Sequence, residues 1–238
     1  MRINKYLADR QYASRREADT LIERGLVFIN GKKAVLGDKV EENDRVEVIS
    51  VEKGNRAYFA YYKPVGVVTV NAQEGEKEVK DITRFPEKVY PLGRLDKDSE
   101  GLLLLSNDGR VTTALLKPEA GIEKEYAVTV DKDITHLFLK RLQSGVDIGG
   151  VNNVKHYVTK PALVRRTSKR TFDIVITEGK NRQIRRMCSA FGYTVTTLKR
   201  FRIANIELDD LTSGTFREVK GEELDEFLKN INVRGVAE

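Results

Sequence analysis

Four consecutive leucines, Leu102–Leu105, stand between Gly101 and the turn sequence Asn107-Asp108-Gly109. A short apolar run with no polar alternation, bounded by turn residues, predicts a strand buried on both faces. Such a strand needs packed layers above and below it, so it commits the chain to a sheet with covered faces. The loop that enters the strand is Gly93-Arg94-Leu95-Asp96-Lys97-Asp98-Ser99-Glu100. Charged side chains on a loop held by a rigid scaffold are where reactive groups are often found.

The remaining patterns give an α+β order. Ser14-Arg15-Arg16-Glu17 fits a capping box, Ala18, Leu21 and Ile22 an apolar helix stripe, and Gly25 a stop. Residues 26–29 read as a strand, Asn30-Gly31 as a hairpin turn, and 46–48 as a later strand. Residues 1–50 thus form a small module, 51–56 a linker with Gly54, and 57–238 a second domain. In the second domain, residues 56–62 predict a strand broken by Lys63-Pro64-Val65-Gly66, with 67–70 resuming it. A short helix over 110–116 ends at Pro118. Tyr126, Val128 and Val130 share one face of a strand. Ile134, Leu137, Phe138 and Leu142 stripe a helix, and residues 171–177 alternate as a strand. Ile184, Met187, Cys188 and Phe191 stripe a further helix, beside which Arg182, Arg185 and Arg186 make a basic face. Residues 193–203 form a last β-rich stretch, and Leu224, Phe227, Leu228 and Ile231 a C-terminal helix whose last residues fray.

Charge separates along the chain. Residues 160–202 hold twelve Lys and Arg against Asp173 and Glu178, a net +10, while the whole chain is +6, leaving −4 elsewhere. A basic segment on a mildly acidic body is a footprint for a polyanion. Cys188 is the lone cysteine, so no intrachain disulfide can form, which fits a reducing, cytoplasmic setting. No apolar run approaches a membrane span, and no signal-peptide core is present at the N-terminus. His136, His156 and Cys188 make no metal-ligand cluster. No G-x-G-x-x-G stands in the chain, and Gly25…Gly31-Lys32 misses the P-loop spacing by one residue. Chemistry built on a carboxylate, with neither metal nor cofactor, is what these patterns leave.

Two resemblances sharpen this. Gly93-Arg94-Leu95-Asp96 through Asn107-Asp108-Gly109, Lys124-Glu125-Tyr126 and Gly179-Lys180-x-x-Gln183-Ile184-Arg185-Arg186-Met187 resemble the three motifs of the bacterial ribosomal-RNA pseudouridine synthases, the family that includes RsuA and RluF, and most of all its large-subunit branch. Tyr61-Tyr62-Lys63-Pro64-x-Gly66 resembles the strand that opens the synthase domain. Arg2-Ile3-Asn4-Lys5-Tyr6-Leu7, Ser14-Arg15-Arg16-Glu17-Ala18 and Val27-Phe28-Ile29-Asn30-Gly31 resemble the small αL RNA-binding module. The resemblance implies a mixed, mostly antiparallel sheet flanked by helices, with a cleft across it. It implies Asp96 as the catalytic carboxylate, Tyr126 against the target uracil, and Arg185 paired with Asp96. A neighbouring guanidinium lowers an Asp pKa by about 1–3 units and so keeps it ionised in a partly dry site.

From the same resemblance Arg94, Lys63, Arg182 and Arg186 are candidate substrate contacts, with Asp98 and Glu100 as loop supports; Lys63 reads equally as charge on an edge strand. Lys5, Arg15, Arg16, Lys199 and Arg200 are candidate RNA contacts. The implied partner is ribosomal RNA, 23S rRNA or a pre-ribosomal particle, approached by a cytoplasmic monomer. Small-subunit rRNA, a non-catalytic ribosome-assembly factor and another RNA-modifying enzyme such as a methyltransferase are the rival readings.

Overall fold

Leu102–Leu105 run through the middle of a large sheet, where each leucine faces a packed core. A computed structural model of the chain describes residues 1–10, 12–49, 56–116, 120–150 and 156–233. The expected linker, apart from Arg56, lies outside the described residues, as do Pro118 and the C-terminal end.

The first 48 residues give α1 (Ile3–Asp9), α2 (Arg15–Glu23), β1 (Val27–Ile29), β2 (Lys32–Lys33) and β3 (Val46–Val48). The capping box forms as the sequence dictates: Ser14 Oγ accepts from Glu17 N, and Ser14 N donates to the Glu17 carboxylate at 2.6 Å. The three strands pair antiparallel in the order β2-β1-β3. Ile3, Leu7, Ala18, Ile22 and Val27 close a small core beneath them.

The second body contains β4 (Tyr58–Lys63), α3 (Val79–Ile82), β5 (Tyr90–Pro91), β6 (Glu100–Ser106), α4 (Gly109–Leu116), β7 (Lys124–Val130) and α5 (His136–Gln143). It continues with β8 (Leu163–Arg166), β9 (Thr171–Ile176), α6 (Gln183–Ser189), β10 (Val195–Ile203), β11 (Ile206–Glu207), β12 (Phe216–Glu218) and α7 (Gly221–Asn230). Seven strands follow one another as β12-β4-β6-β10-β7-β9-β8, with β5 on β6 and β11 on β10. The α+β architecture is the one expected, a mixed sheet that is mostly antiparallel and flanked by helices.

Leu102 and Leu104 join the core under α4 and α7, while Leu103 and Leu105 join a smaller core with Tyr61, Val67 and Val79. At about 1.5–3 kcal/mol per fully buried large apolar side chain, this strand anchors the sheet. Two expectations fail here. Residues 67–70 do not resume a strand; Val68 makes a single bridge to Glu78. Nor is β4 an edge strand, because β12 covers its outer side.

The two halves of the sheet meet at β6 and β10, the one parallel pairing among the described strands, through Lys199 opposite Glu100 and Arg200 opposite Gly101. Gly101 has φ +105°, and a Cβ there would lie 2.1 Å from the Arg200 carbonyl oxygen. Only glycine allows this approach. The Asp96 loop enters β6 at this seam.

Candidate active site

Asp96 sits on a loop that hydrogen bonds hold on both sides. Thr69, itself buried, accepts from Leu95 N at 3.1 Å and donates to Leu95 O at 2.8 Å. One hydroxyl therefore clamps the peptide groups that flank Leu95. Asp96 O accepts from Ser99 N at 3.0 Å, and Lys97 O from Gly66 N at 2.8 Å. Lys97 Nζ reaches Glu76 at 2.7 Å. Leu95 is buried in the core of the β7–β9 half. The Asp96 side chain is left half-buried at the wall of a cleft of about 470 Å³. That volume is within the range of pockets that hold small organic groups. Arg94, Tyr126, Lys124, Arg182 and Arg200 line the same cleft.

The arginines of α6 do not pair as expected. Arg185 does not meet Asp96. Its guanidinium donates to Asp98 O at 2.8 Å, to Ser99 Oγ at 3.2 Å and to Val195 O at 3.0 Å, and lies 3.3 Å from the Asp98 carboxylate. It braces the loop from behind and is absent from the cleft wall. The reason is local. α6 starts at Gln183, so Arg182 precedes the helix with φ 51° and ψ 34° and projects toward the loop instead of along the helix face. Arg182 forks the Asp98 carboxylate. That hydrogen bonding, with the charge of Arg185 behind it, holds the Asp98 carboxyl below the usual carboxylate range, against an opposing contribution from burial. The hydrogen bonds to Asp98 raise Arg182 in turn, against burial and with smaller help from the charges of Asp98 and Asp96. Asp98 thus supports the loop, and so does Glu100, which accepts from Tyr62 Oη at 2.8 Å. Arg186 leaves the cleft altogether, donating to the carbonyls of Ile148 and Gly150.

Lys63 and Arg200 also depart from expectation. Lys63 is fully buried, and its ammonium donates to Pro64 O at 2.7 Å and Val67 O at 2.8 Å. It holds the 64–67 turn and is not a phosphate contact. Burial pushes it down to about 8, with the carboxylates of Asp96 and Asp98 pulling the other way. Arg200 is 4% exposed, not a surface RNA contact. Strand alternation on β10 turns it inward, and Gly101 lets the two backbones approach at this position. Its Nε donates to Leu102 O at 2.7 Å and its Nη1 to Tyr126 Oη at 3.4 Å. Tyr126 stands directly opposite Arg200 across β7 and β10 and is buried. Lys124, named in the Lys124-Glu125-Tyr126 motif but not among the candidate site residues, opens β7; burial, then the charge of Arg200, pushes it down to about 8. Thr69 was invisible, a single threonine in a loop.

The other candidates are where charge can meet a ligand. Arg94 is exposed at the cleft rim. Lys199 is half-buried, with Nζ 5.0 Å from the Tyr62 ring centre. Lys5, Arg15 and Arg16 are exposed on α1 and α2. Among the described residues no three His, Cys, Asp or Glu gather in a metal-binding group.

Comparison with known proteins agrees with this geometry. Residues 57–190 match the RNA pseudouridylate synthase family model, and residues 1–46 match the S4 domain. A dual-specificity RNA pseudouridine synthase RluF of Salmonella typhi is 42% identical over 97% of this chain and 79% of that protein. The Escherichia coli K12 protein of the same name is 41% identical over the same shares. Ribosomal large subunit pseudouridine synthase B of Bacillus subtilis is 36% identical over 94% and 93%. A crystal structure of a pseudouridylate synthase superposes with a TM-score of 0.69 at 27% identity, covering 95% of this chain and 99% of that one.

Proposed function

The chain belongs to the RNA pseudouridylate synthase family and carries an S4 domain, and from that footing we propose that it converts a specific uridine of 23S rRNA to pseudouridine with Asp96 as the catalytic carboxylate. The observation that carries the site assignment is the Thr69 clamp on Leu95, which presents the Asp96 carboxylate to a cleft shared with Tyr126. The reaction breaks the bond from ribose C1′ to ring N1 and joins C1′ to ring C5. No atom enters or leaves, apart from a proton exchanged between C5 and N1. A carboxylate serves either as nucleophile toward sugar or base, or as the base that takes a sugar proton. The target nucleotide must first leave its stack, at a cost of a few kcal/mol. Contact with Tyr126 returns about 1–3 kcal/mol, and Arg94 at the rim takes the phosphate of the everted nucleotide. Arg182 lines the same cleft as Asp96 and fixes the loop that carries it through Asp98.

The S4 module, residues 1–50 in this reading, presents Lys5, Arg15 and Arg16 to rRNA, and residues 57–238 do the chemistry. The enzyme works as a cytoplasmic monomer. A lone, buried Cys188 and the lack, among the described residues, of any helix long and apolar enough to cross a membrane support that setting. The large-subunit target draws support from the name of the Bacillus subtilis relative. A second RNA substrate is favoured by the dual specificity named for the relatives at 41–42% identity. Pseudouridine maps of all cellular RNA with and without the gene test both readings: 23S rRNA should lose one modified position, and unchanged maps would refute the assignment.

A further inference from the structure

Arg200 holds more donor capacity than the protein uses. Its side chain is 4% exposed and lines the cleft. Nε is spent on Leu102 O and Nη1 on Tyr126 Oη, while Nη2, equally buried, has no hydrogen-bond partner among the described residues. A buried guanidinium N–H without an acceptor is costly and uncommon. No carboxylate forms an ion pair with this guanidinium among the described residues. Lys124, a second cation, lines the same wall. Asp96 lines the same cleft. The cleft therefore holds a carboxylate together with two cations that form no ion pair among the described residues.

Resting on the proposed function, we propose that Arg200 is a catalytic residue that donates Nη2 to a carbonyl oxygen of the everted uracil and stabilises the base as an anion, with Lys124 adding to the field. When the C1′–N1 bond breaks, its electron pair stays on the ring. The negative charge is shared over N1, C5 and the two carbonyl oxygens. Attack of C5 on C1′ then forms the new bond, C5 loses its proton and N1 gains one. No oxidant, reductant or further reactant is needed. A donor placed where charge develops, in a site closed to water, typically contributes about 10²–10³ in rate.

The test compares the wild type with Arg200→Gln and Arg200→Lys on two 23S rRNA transcripts, one made with uridine and one with 5-fluorouridine. Fluorine withdraws electrons and stabilises the ring anion without help from the protein. Single-turnover loss of the starting nucleoside is followed by digestion and mass spectrometry, with filter binding and thermal unfolding alongside. Arg200→Gln should slow the uridine transcript by about 10²–10³ and the fluorinated one by no more than about tenfold, with RNA affinity unchanged. Arg200→Lys keeps the charge but not the fork; it should show the same ordering with a smaller gap, and it carries the test if the glutamine variant does not fold. Equal losses on both transcripts would overturn the proposal. A wild type that turns over neither transcript would refute the synthase reading itself.

Discussion

Arg182 and Asp98 meet in a two-pronged ion pair, Nη1 to Oδ1 at 2.9 Å and Nη2 to Oδ2 at 2.8 Å. The pair ties the residue before α6 to the loop two positions after Asp96, and Arg185 seals the same loop from behind at Asp98 O and Ser99 Oγ. Both side chains of the pair are close to half exposed, at 44% and 45%, so its contribution to stability is at most about 1 kcal/mol. Its effect on geometry is larger, because a misplacement of about 1 Å at a reacting group can cost about 10²-fold. Asp98→Ala is therefore expected to lower the isomerisation rate about 10- to 100-fold while the unfolding midpoint moves by no more than about 2–4 °C. A variant that melts much earlier yet reacts at the normal rate would contradict this role.

Lys63 gives a pH signature. The unfolded chain keeps this ammonium protonated to 10.5, the folded chain only to about 8. Between those values the unfolded state holds more protons, so stability rises with pH across the window and is flat below it. The rise from this group is bounded by about 3 kcal/mol. It is opposed above pH 9, where burial keeps the Cys188 thiol protonated, and further above pH 10, where Tyr58 and Tyr62, pushed above their ordinary value of 10.0 chiefly by burial, act in the same direction. Denaturant titrations at pH 7 to 10 should show the rise in the wild type and a smaller one in Lys63→Met, with Lys124 supplying the remainder. Identical slopes would show that Lys63 is not desolvated.

Gly101→Ala should damage the seam between β6 and β10. Left-handed strain at φ +105° costs about 1–3 kcal/mol, and the added methyl meets the Arg200 backbone besides. The expected loss in chemical denaturation is at least about 3 kcal/mol, with a failure to accumulate as folded protein an equally telling result. An alanine variant of wild-type stability would mean that β6 and β10 are not joined as described.

Lys5, Arg15 and Arg16 are exposed and stand on the two helices of the S4 module. Each phosphate contact contributes about one unit to the slope of log affinity against log salt. Replacing all three with alanine should weaken rRNA binding and reduce that slope by about 2–3, with little change in the rate at saturating RNA. A salt slope equal to that of the wild type would place the RNA elsewhere.

Backbone pattern was the legible part of this chain. Leu102–Leu105 announced a two-sided strand, Tyr126, Val128 and Val130 alternated as the structure has them, and Ser14 with Glu17 closed the predicted capping box. The 93–101 and 179–187 motifs located the cleft walls. What sequence could not carry was the aim of individual cations. Lys199-Arg200-Phe201-Arg202 reads as a surface cluster, and only the register of β10 against Gly101, 99 residues earlier, turns Arg200 inward. Lys63 looked like edge charge because the strand that covers β4 comes from residues 216–218. Helical spacing placed Arg182 and Arg185 on one face, yet the left-handed backbone at Arg182 sends them to different atoms of the same loop. Thr69 left no pattern because its clamp is one hydroxyl meeting a loop 26 residues away.

The most direct measurement is single-turnover isomerisation of 23S rRNA by Asp96→Asn, with RNA affinity measured in parallel. The substitution keeps the size of the side chain and the Thr69 clamp, and removes only the charge. The expected result is no detectable pseudouridine with binding near that of the wild type; pseudouridine formed at the wild-type rate would contradict the assignment of Asp96.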